Sequence, residues 1–142
     1  MAHHIRPGAT EAALEVYRRQ FKPSRWLDRP QAMVSVTVIC AETAERADEL
    51  ARPYEVLIAQ ALAGQKSALL TVDQAAGHRF ARPELELIAT LRGGEVRGDA
   101  GQVERGLAEL VGRFAPDELI VAVPVYAIDD RLRALEAVVG KN

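Results

Sequence analysis

Residues 33–40, Met-Val-Ser-Val-Thr-Val-Ile-Cys, place Val34, Val36 and Val38 on one face and Ser35, Thr37 and Ile39 on the other. A period of two built from β-branched residues predicts a strand. Residues 119–123, Leu-Ile-Val-Ala-Val, have no polar face. Such a run predicts a strand covered on both sides, as parallel strands are. A shorter extended piece is expected at 95–97, ahead of Gly98. Elsewhere the apolar spacing is helical. Leu14, Tyr17 and Phe21 form one stripe behind Thr10, a good N-cap, and Pro23 stops the helix. Ala47, Leu50, Tyr54, Ile58 and Ala61 continue a second helix from a Thr43 cap to about Gly64, with Glu45 facing the positive end of the dipole. Pro53 inside that pattern predicts a kink or two abutting helices.

Residues 65–82 have no clear period and read as a long loop anchored by Leu69, Leu70 and Phe80. Pro83 opens a short helix through Leu85, Ile88 and Leu91, which Gly93-Gly94 ends. Asp99 with Gln102 resembles a capping box for a helix that aligns Val103, Leu107, Leu110, Val111 and Phe114. Asp129 or Asp130 is expected to cap a last helix carrying Leu132, Leu135 and Val139. Strands alternating with helices imply right-handed βαβ units around a parallel sheet. Yet the pattern gives two good strands, one short one and a stub at 1–5, which is thin for a sheet whose two faces both need cover.

Length and charge narrow the classes. A chain of 142 residues forms one domain that buries about 68–70% of its unfolded surface. With 49% apolar and 27% charged residues it reads as a globular protein. A net charge of −2 argues against a nucleic-acid partner, which a basic stripe would mark. Apolar runs such as 119–125 fall far short of the ~20 residues that cross a bilayer, so no membrane span is expected. The N-terminus lacks a signal-peptide pattern, and the single Cys40 allows no internal disulfide. A cytoplasmic location is the expectation.

Specific strings then add to periodicity. They are Ala2-His3-His4, the helix end Tyr17-Arg18-Arg19-Gln20-Phe21-Lys22-Pro23-Ser24, and Leu27-Asp28-Arg29-Pro30 ahead of the first strand. Further along come Gly64-Gln65 with Leu69-Leu70, the Gly98-Asp99 to Gln102-Val103 turn, and Asp117-Glu118-Leu119-Ile120-Val121 ending in Pro124-Val125-Tyr126. This collinear set, spread over essentially the whole chain, resembles the C-terminal half of bacterial-luciferase-like, flavin-dependent oxidoreductases. No single string is as specific as a phosphate-binding loop.

The resemblance implies an α/β fold, the C-terminal half of a TIM (β/α)8 barrel, with 1–142 as one partial barrel domain. It makes 1–5 the end of the fifth strand, 33–40 the sixth, 95–97 the seventh and 118–125 the eighth, with 65–82 in an insertion before the seventh. A full barrel needs about 200–250 residues or more. Completion by self-association as a homo-oligomer, or by an upstream half-barrel, is therefore implied. So is a monooxygenase chemistry in which reduced FMN, supplied by a separate flavin reductase, and O2 oxidise a small organic substrate. In the family the residues that hold the flavin phosphate lie largely upstream of the part matched here. FMN binding by the isolated chain is thus not implied.

Within that frame His3 and His4 fall at a strand end facing the barrel mouth. There a neutral imidazole can hydrogen-bond flavin or peroxide oxygens and transfer protons near neutral pH. Alternation allows only one of the two to point inward. The plain alternative is a frayed or tag-like N-terminus. Cys40 ends the next strand on the same rim and is either a cofactor-side thiol or a small buried hydrophobe. Pro124 and Tyr126 close the last strand, where Tyr126 lines the flavin or packs as a cap. His3, His4, His78 and Cys40 lack metal-ligand spacing, so no metal is expected. Arg97-Gly98-Asp99 reads as turn and cap, and Gly98 with Gly101 lacks the third glycine of a dinucleotide fingerprint. No G-x-S-x-G string is present.

Two functional classes remain. One is a luciferase-like monooxygenase or the half of one; the other is a non-catalytic half-barrel that self-associates and has lost flavin binding. A small α/β module with a closed sheet of its own is a third architecture.

Overall fold

A computed structural model describes residues 3–139. Its elements in order are α1 (Thr10–Gln20), β1 (Met33–Cys40), α2 (Ala44–Leu62), α3 (Val72–Ala76), α4 (Arg82–Arg92), β2 (Glu95–Gly98), α5 (Ala100–Phe114), β3 (Glu118–Ala122) and α6 (Ile128–Val139). Of the stub expected at 1–5, Met1 and Ala2 lie outside the described residues, and 3–5 form a turn rather than a strand.

The strands form a parallel sheet in the order β2-β1-β3, with Thr37 opposite Glu95 and Ser35 opposite Ile120. Successive strands of a barrel wall are neighbours. The expected run of 33–40, 95–97 and 118–125 would therefore place β2 in the middle, but β1 is there. The crossovers explain the difference. A right-handed connection from β1 out to β2 puts α2 on one face, and a right-handed return across β1 to β3 puts α5 on the other. Along one edge of β1, Ser35 O accepts from His4 N at 3.1 Å and Thr37 N donates to Gly94 O at 3.3 Å. The N-terminal turn and β2 thus lie end to end on that edge. A Cβ on Gly94 would sit 2.7 Å from His3 O, so only glycine lets the two segments meet.

Both faces of β1 are covered by the chain itself. Val34, Val36, Val38 and Cys40 pack with Leu14 of α1, Val103, Leu110 and Phe114 of α5, and Ala134 of α6. On the opposite face Ile39 and Ala41 pack with Ala47, Leu50 and Ala51 of α2 and with Val125. The bare inner face expected of an open barrel arc is therefore absent at β1. Asp117 fixes where β1 and β3 begin. Its carboxylate accepts from Ala32 N and Arg29 Nη1, each at 2.8 Å, while its own N–H donates to Ala32 O.

Several helices differ from expectation. Thr10 is the first residue of α1 rather than its cap. Pro53 sits inside one continuous α2. Residues 65–82 contain α3, held by a capping box of Thr71 and Gln74. Arg52 ties that insert down by donating to the carbonyls of Ala75 at 3.0 Å and His78 at 2.6 Å, with its guanidinium over Phe80. Asp129 and Asp130 lie in the first turn of α6 rather than ahead of it. Two expected burials also fail. α6 turns Ala134, Ala137 and Val138 to the core, leaving Leu132, Leu135 and Val139 exposed. β3, expected to be covered on both sides, is half-exposed at Ile120. Among the described residues no helix is long and apolar enough to cross a membrane.

Candidate functional site

The sheet has one dry face and one polar face. Period two sends the valines of β1 into the dry core and directs Ser35 and Thr37 the other way. His4 joins that polar face: its Nδ1 hydrogen-bonds Ser35 Oγ at 2.7 Å. Tyr54 of α2 reaches Thr37 with its hydroxyl, while burial and then the nearby Glu95 carboxylate raise its pKa. Alternation puts Glu95 and Arg97 of β2 on the same side. There Arg97 meets Glu55 at 3.1 Å, Asp48 at 2.9 Å, and Glu95. Arg92 of α4 also holds Glu55, at 2.8 Å.

Glu55 is 5% exposed and is paired with these two arginines. Burial opposes the charge on Arg97, but the Glu95, Asp48 and Glu55 carboxylates outweigh it and raise its pKa. The result is a fixed row of hydrogen-bonding and charged groups. It runs from His4 through Ser35, Thr37 and Tyr54 to the Glu95–Arg97–Glu55 cluster. Ser35, Thr37 and Glu55 within this row are buried and partnered inside the chain, and His4 is its half-buried end.

A separate open cleft of about 1030 Å³ lies beyond the C-terminal ends of β1 and β2, between α5 and α6. That is where open α/β sheets take ligands. Cys40, Glu42, Asp99, Glu104, Arg133 and Glu136 line it. Asp99 occupies the N-terminus of α5, accepting from Gln102 N at 2.8 Å. Arg133 is bridged to Glu42 and to Asp130, each at 2.8 Å. Four carboxylates around one neutralised arginine repel an anion, so these residues do not fit the phosphate of FMN.

The residues singled out from the sequence fall in different places. His3 and His4 point to opposite sides, although the turn at 3–5 is not the strand whose alternation would require it. His3 is buried, 2.9 Å from Thr10 Oγ1 and edge-on to Phe114 with ring centroids 4.9 Å apart. Burial, then Arg113 and His4, lower its pKa, so it packs as a neutral ring. Thr10 Oγ1 donates to Arg6 O, which leaves its lone pair to accept from His3 Nδ1–H. Cys40 lies on the dry face, and burial pushes its thiol pKa up despite Arg133 nearby. Five residues of β1, about 16 Å, separate it from Ser35 and His4. Pro124 is half-buried and Tyr126 exposed. Arg131 holds this end of the chain, donating to the carbonyls of Val125 at 2.8 Å and Tyr126 at 3.0 Å. The structure thus joins His4 to the polar face but does not gather the five residues into one site. Among the described residues no group of three or more His, Cys, Asp or Glu side chains is placed to hold a metal.

Sequence reasoning passed over Tyr54, Glu55, Glu95 and Arg97. The signal was there for the last two, since a period of two already set Glu95 and Arg97 on the face opposite Val96.

No family model matches the chain. It is 29% identical to the uncharacterized protein YceB and 31% identical to the uncharacterized protein YvbT, both of Bacillus subtilis, over 94% and 99% of its own length. It is 26% identical to a luciferase-like monooxygenase of Escherichia coli over 95% of its length. The chain spans only 40% to 43% of the length of these relatives. In solved structures it resembles apo-MsnO8, with a TM-score of 0.75 at 25% identity, over 96% of this chain and 43% of that one. It is therefore a distant relative of luciferase-like monooxygenases and corresponds to about two fifths of such a protein.

Proposed function

We propose that this chain is one part of a luciferase-like, flavin-dependent monooxygenase. In that reading reduced FMN and O2 oxidise a small organic substrate in a site completed by further barrel strands. The observation that carries it is the combined likeness in sequence and backbone: nearly the whole chain aligns with a luciferase-like monooxygenase and with apo-MsnO8. β1 and β3, which are direct neighbours, are then successive strands of the barrel wall. His4, oriented by Ser35, offers a hydrogen bond and a proton-bearing nitrogen. Arg97 is neutralised by Asp48, Glu55 and Glu95 and serves to hold that end of the polar face in place. FMN, when bound, supplies the redox chemistry, and its phosphate is held by residues outside this chain.

The carboxylate-rich cleft favours a second reading for the chain alone: a non-catalytic protein without flavin affinity. Flavin fluorescence titration separates the two. The isolated chain is expected to leave FMN fluorescence unchanged. The chain assembled with the missing portion of a luciferase-like protein is expected to quench it, and to lose at least tenfold in affinity on His4→Ala. An assembly that leaves FMN free overturns the monooxygenase reading.

A further inference from the structure

A smaller open pocket of about 340 Å³ lies between α2, α4 and the insert that precedes α4. Phe80 of the insert and Leu85 and Ile88 of α4 give it an apolar wall, while Arg52, Glu55 and Arg92 give it charge. Its size and make-up are those of small-molecule sites, which combine apolar walls with a few placed polar groups. Helical spacing brings the groups together. Arg52 and Glu55 stand three apart on α2, and Leu85, Ile88 and Arg92 follow at intervals of three and four on α4. Each set therefore shares one face of its helix.

The charges are held in place and do not cancel. Arg52 donates through Nε to Ala75 O at 3.0 Å, and through Nη2 to Ala76 O at 3.4 Å and His78 O at 2.6 Å. These partners are neutral carbonyls, and among the described residues no carboxylate pairs with Arg52. Arg92 donates through Nε and Nη2 to Glu55 Oε1, at 3.1 and 2.8 Å. Arg97 shares that carboxylate but has Asp48 and Glu95 as well. One guanidinium charge is thus in excess at the pocket. Among the described residues Nη1 makes no hydrogen bond in either Arg52 or Arg92, so each arginine keeps donors for a ligand. A half-buried cation beside apolar walls favours an anion, and the guanidinium fork matches a planar carboxylate. The carboxylate-rich cleft between α5 and α6 offers the same ligand the opposite field.

We infer that this pocket binds a small organic anion, a carboxylate carried on a compact apolar body. The carboxylate meets Arg52 and Arg92, and the body lies against Phe80, Leu85 and Ile88. Arg52 has two parts in this. Its guanidinium lies 5.2 Å from the centre of the Phe80 ring, which steadies the apolar wall, and it supplies the unpaired charge. The inference needs no flavin and does not rest on the function proposed above.

The test is titration of this chain with benzoate, read by amide NMR shifts, with benzyl alcohol as the uncharged counterpart. Benzoate is expected to saturate one site, with shifts centred on Phe80, Leu85 and Ile88. Benzyl alcohol is expected to bind at least tenfold more weakly. Leu85 is 51% exposed, so Leu85→Glu should leave the chain folded, which circular dichroism checks, and should weaken benzoate at least tenfold. Arg92→Gln leaves Glu55 paired with Arg97 and is expected to lower the preference for benzoate over benzyl alcohol. Any of four results overturns the inference: no saturable binding, equal affinity for the two probes, shifts centred elsewhere in the chain, or benzoate binding indifferent to Leu85→Glu. A preference unchanged by Arg92→Gln overturns it too.

Discussion

β1 and β3 are neighbouring strands with similar apolar content and opposite surroundings. β1 carries Ser35 and Thr37 among its valines, yet every residue after Met33 is buried. β3 is apolar from Leu119 through Ala122 and lies half-exposed throughout. Composition thus ranks the two strands in the wrong order for burial within this chain. The polar side chains of β1 are affordable because each has a partner, His4 for Ser35 and Tyr54 for Thr37. Of the apolar side chains of β3, Leu119 and Val121 pack against the core while Ile120 stays half-exposed. Under the proposed function a neighbouring barrel strand covers it.

The contrast can be broken most strongly from the α2 side, which closes over β1 and β2. Glu55→Ala strands Arg97 without one of its buried carboxylates and is expected to destabilise the fold by about 3–5 kcal/mol in urea unfolding. A smaller loss would mean that water reaches the cluster. Next, one residue type compares the two strands directly. Ile39 is 0% exposed and Ile120 is 50% exposed. Ile39→Ala is expected to cost about 2–5 kcal/mol, and Ile120→Ala about 1 kcal/mol or less in the lone chain. Equal costs would show that β3 is already covered.

Smaller effects sharpen the picture around the dry face. Ala115 ends α5 with φ +43°, a left-handed conformation in which a Cβ is strained. Ala115→Gly is expected to stabilise by about 0.5–1 kcal/mol, visible as a raised Tm. The smallest effect is a pH dependence. The folded pKa of His3 lies below the ordinary 6.5, so the unfolded chain binds more protons. Its contribution to stability is whole above pH 6.5 and lost as pH falls through the folded value. His3→Asn should flatten urea stability across that acid range, and an unchanged slope would show the ring is not buried neutral.

Periodicity placed all three strands and most helices, because β-branched alternation and capping residues act locally. Strand order was not legible. It depends on which way each crossover turns, and 95–98 looks the same in sequence whether it lies between β1 and β3 or beside the N-terminal turn. α3 was legible in its Thr71–Gln74 box but hidden by the lack of an apolar period. The stripe on α6 was read as core because apolar spacing alone cannot say which of two apolar sides of a helix meets the sheet. For the polar face, Ser35 and Thr37 were assigned to their side correctly. Tyr54 and Glu55 were not, since helical spacing of apolar residues carries no sign of a buried ion pair.

Amide hydrogen exchange at Leu119 and Val121 tests most directly whether β3 awaits a neighbour. In the lone chain both amides should exchange far faster than Val36, and in the chain assembled with the missing portion of a luciferase-like protein they should slow to match it. Protection equal to Val36 in the monomer, or none in the assembly, would contradict the account.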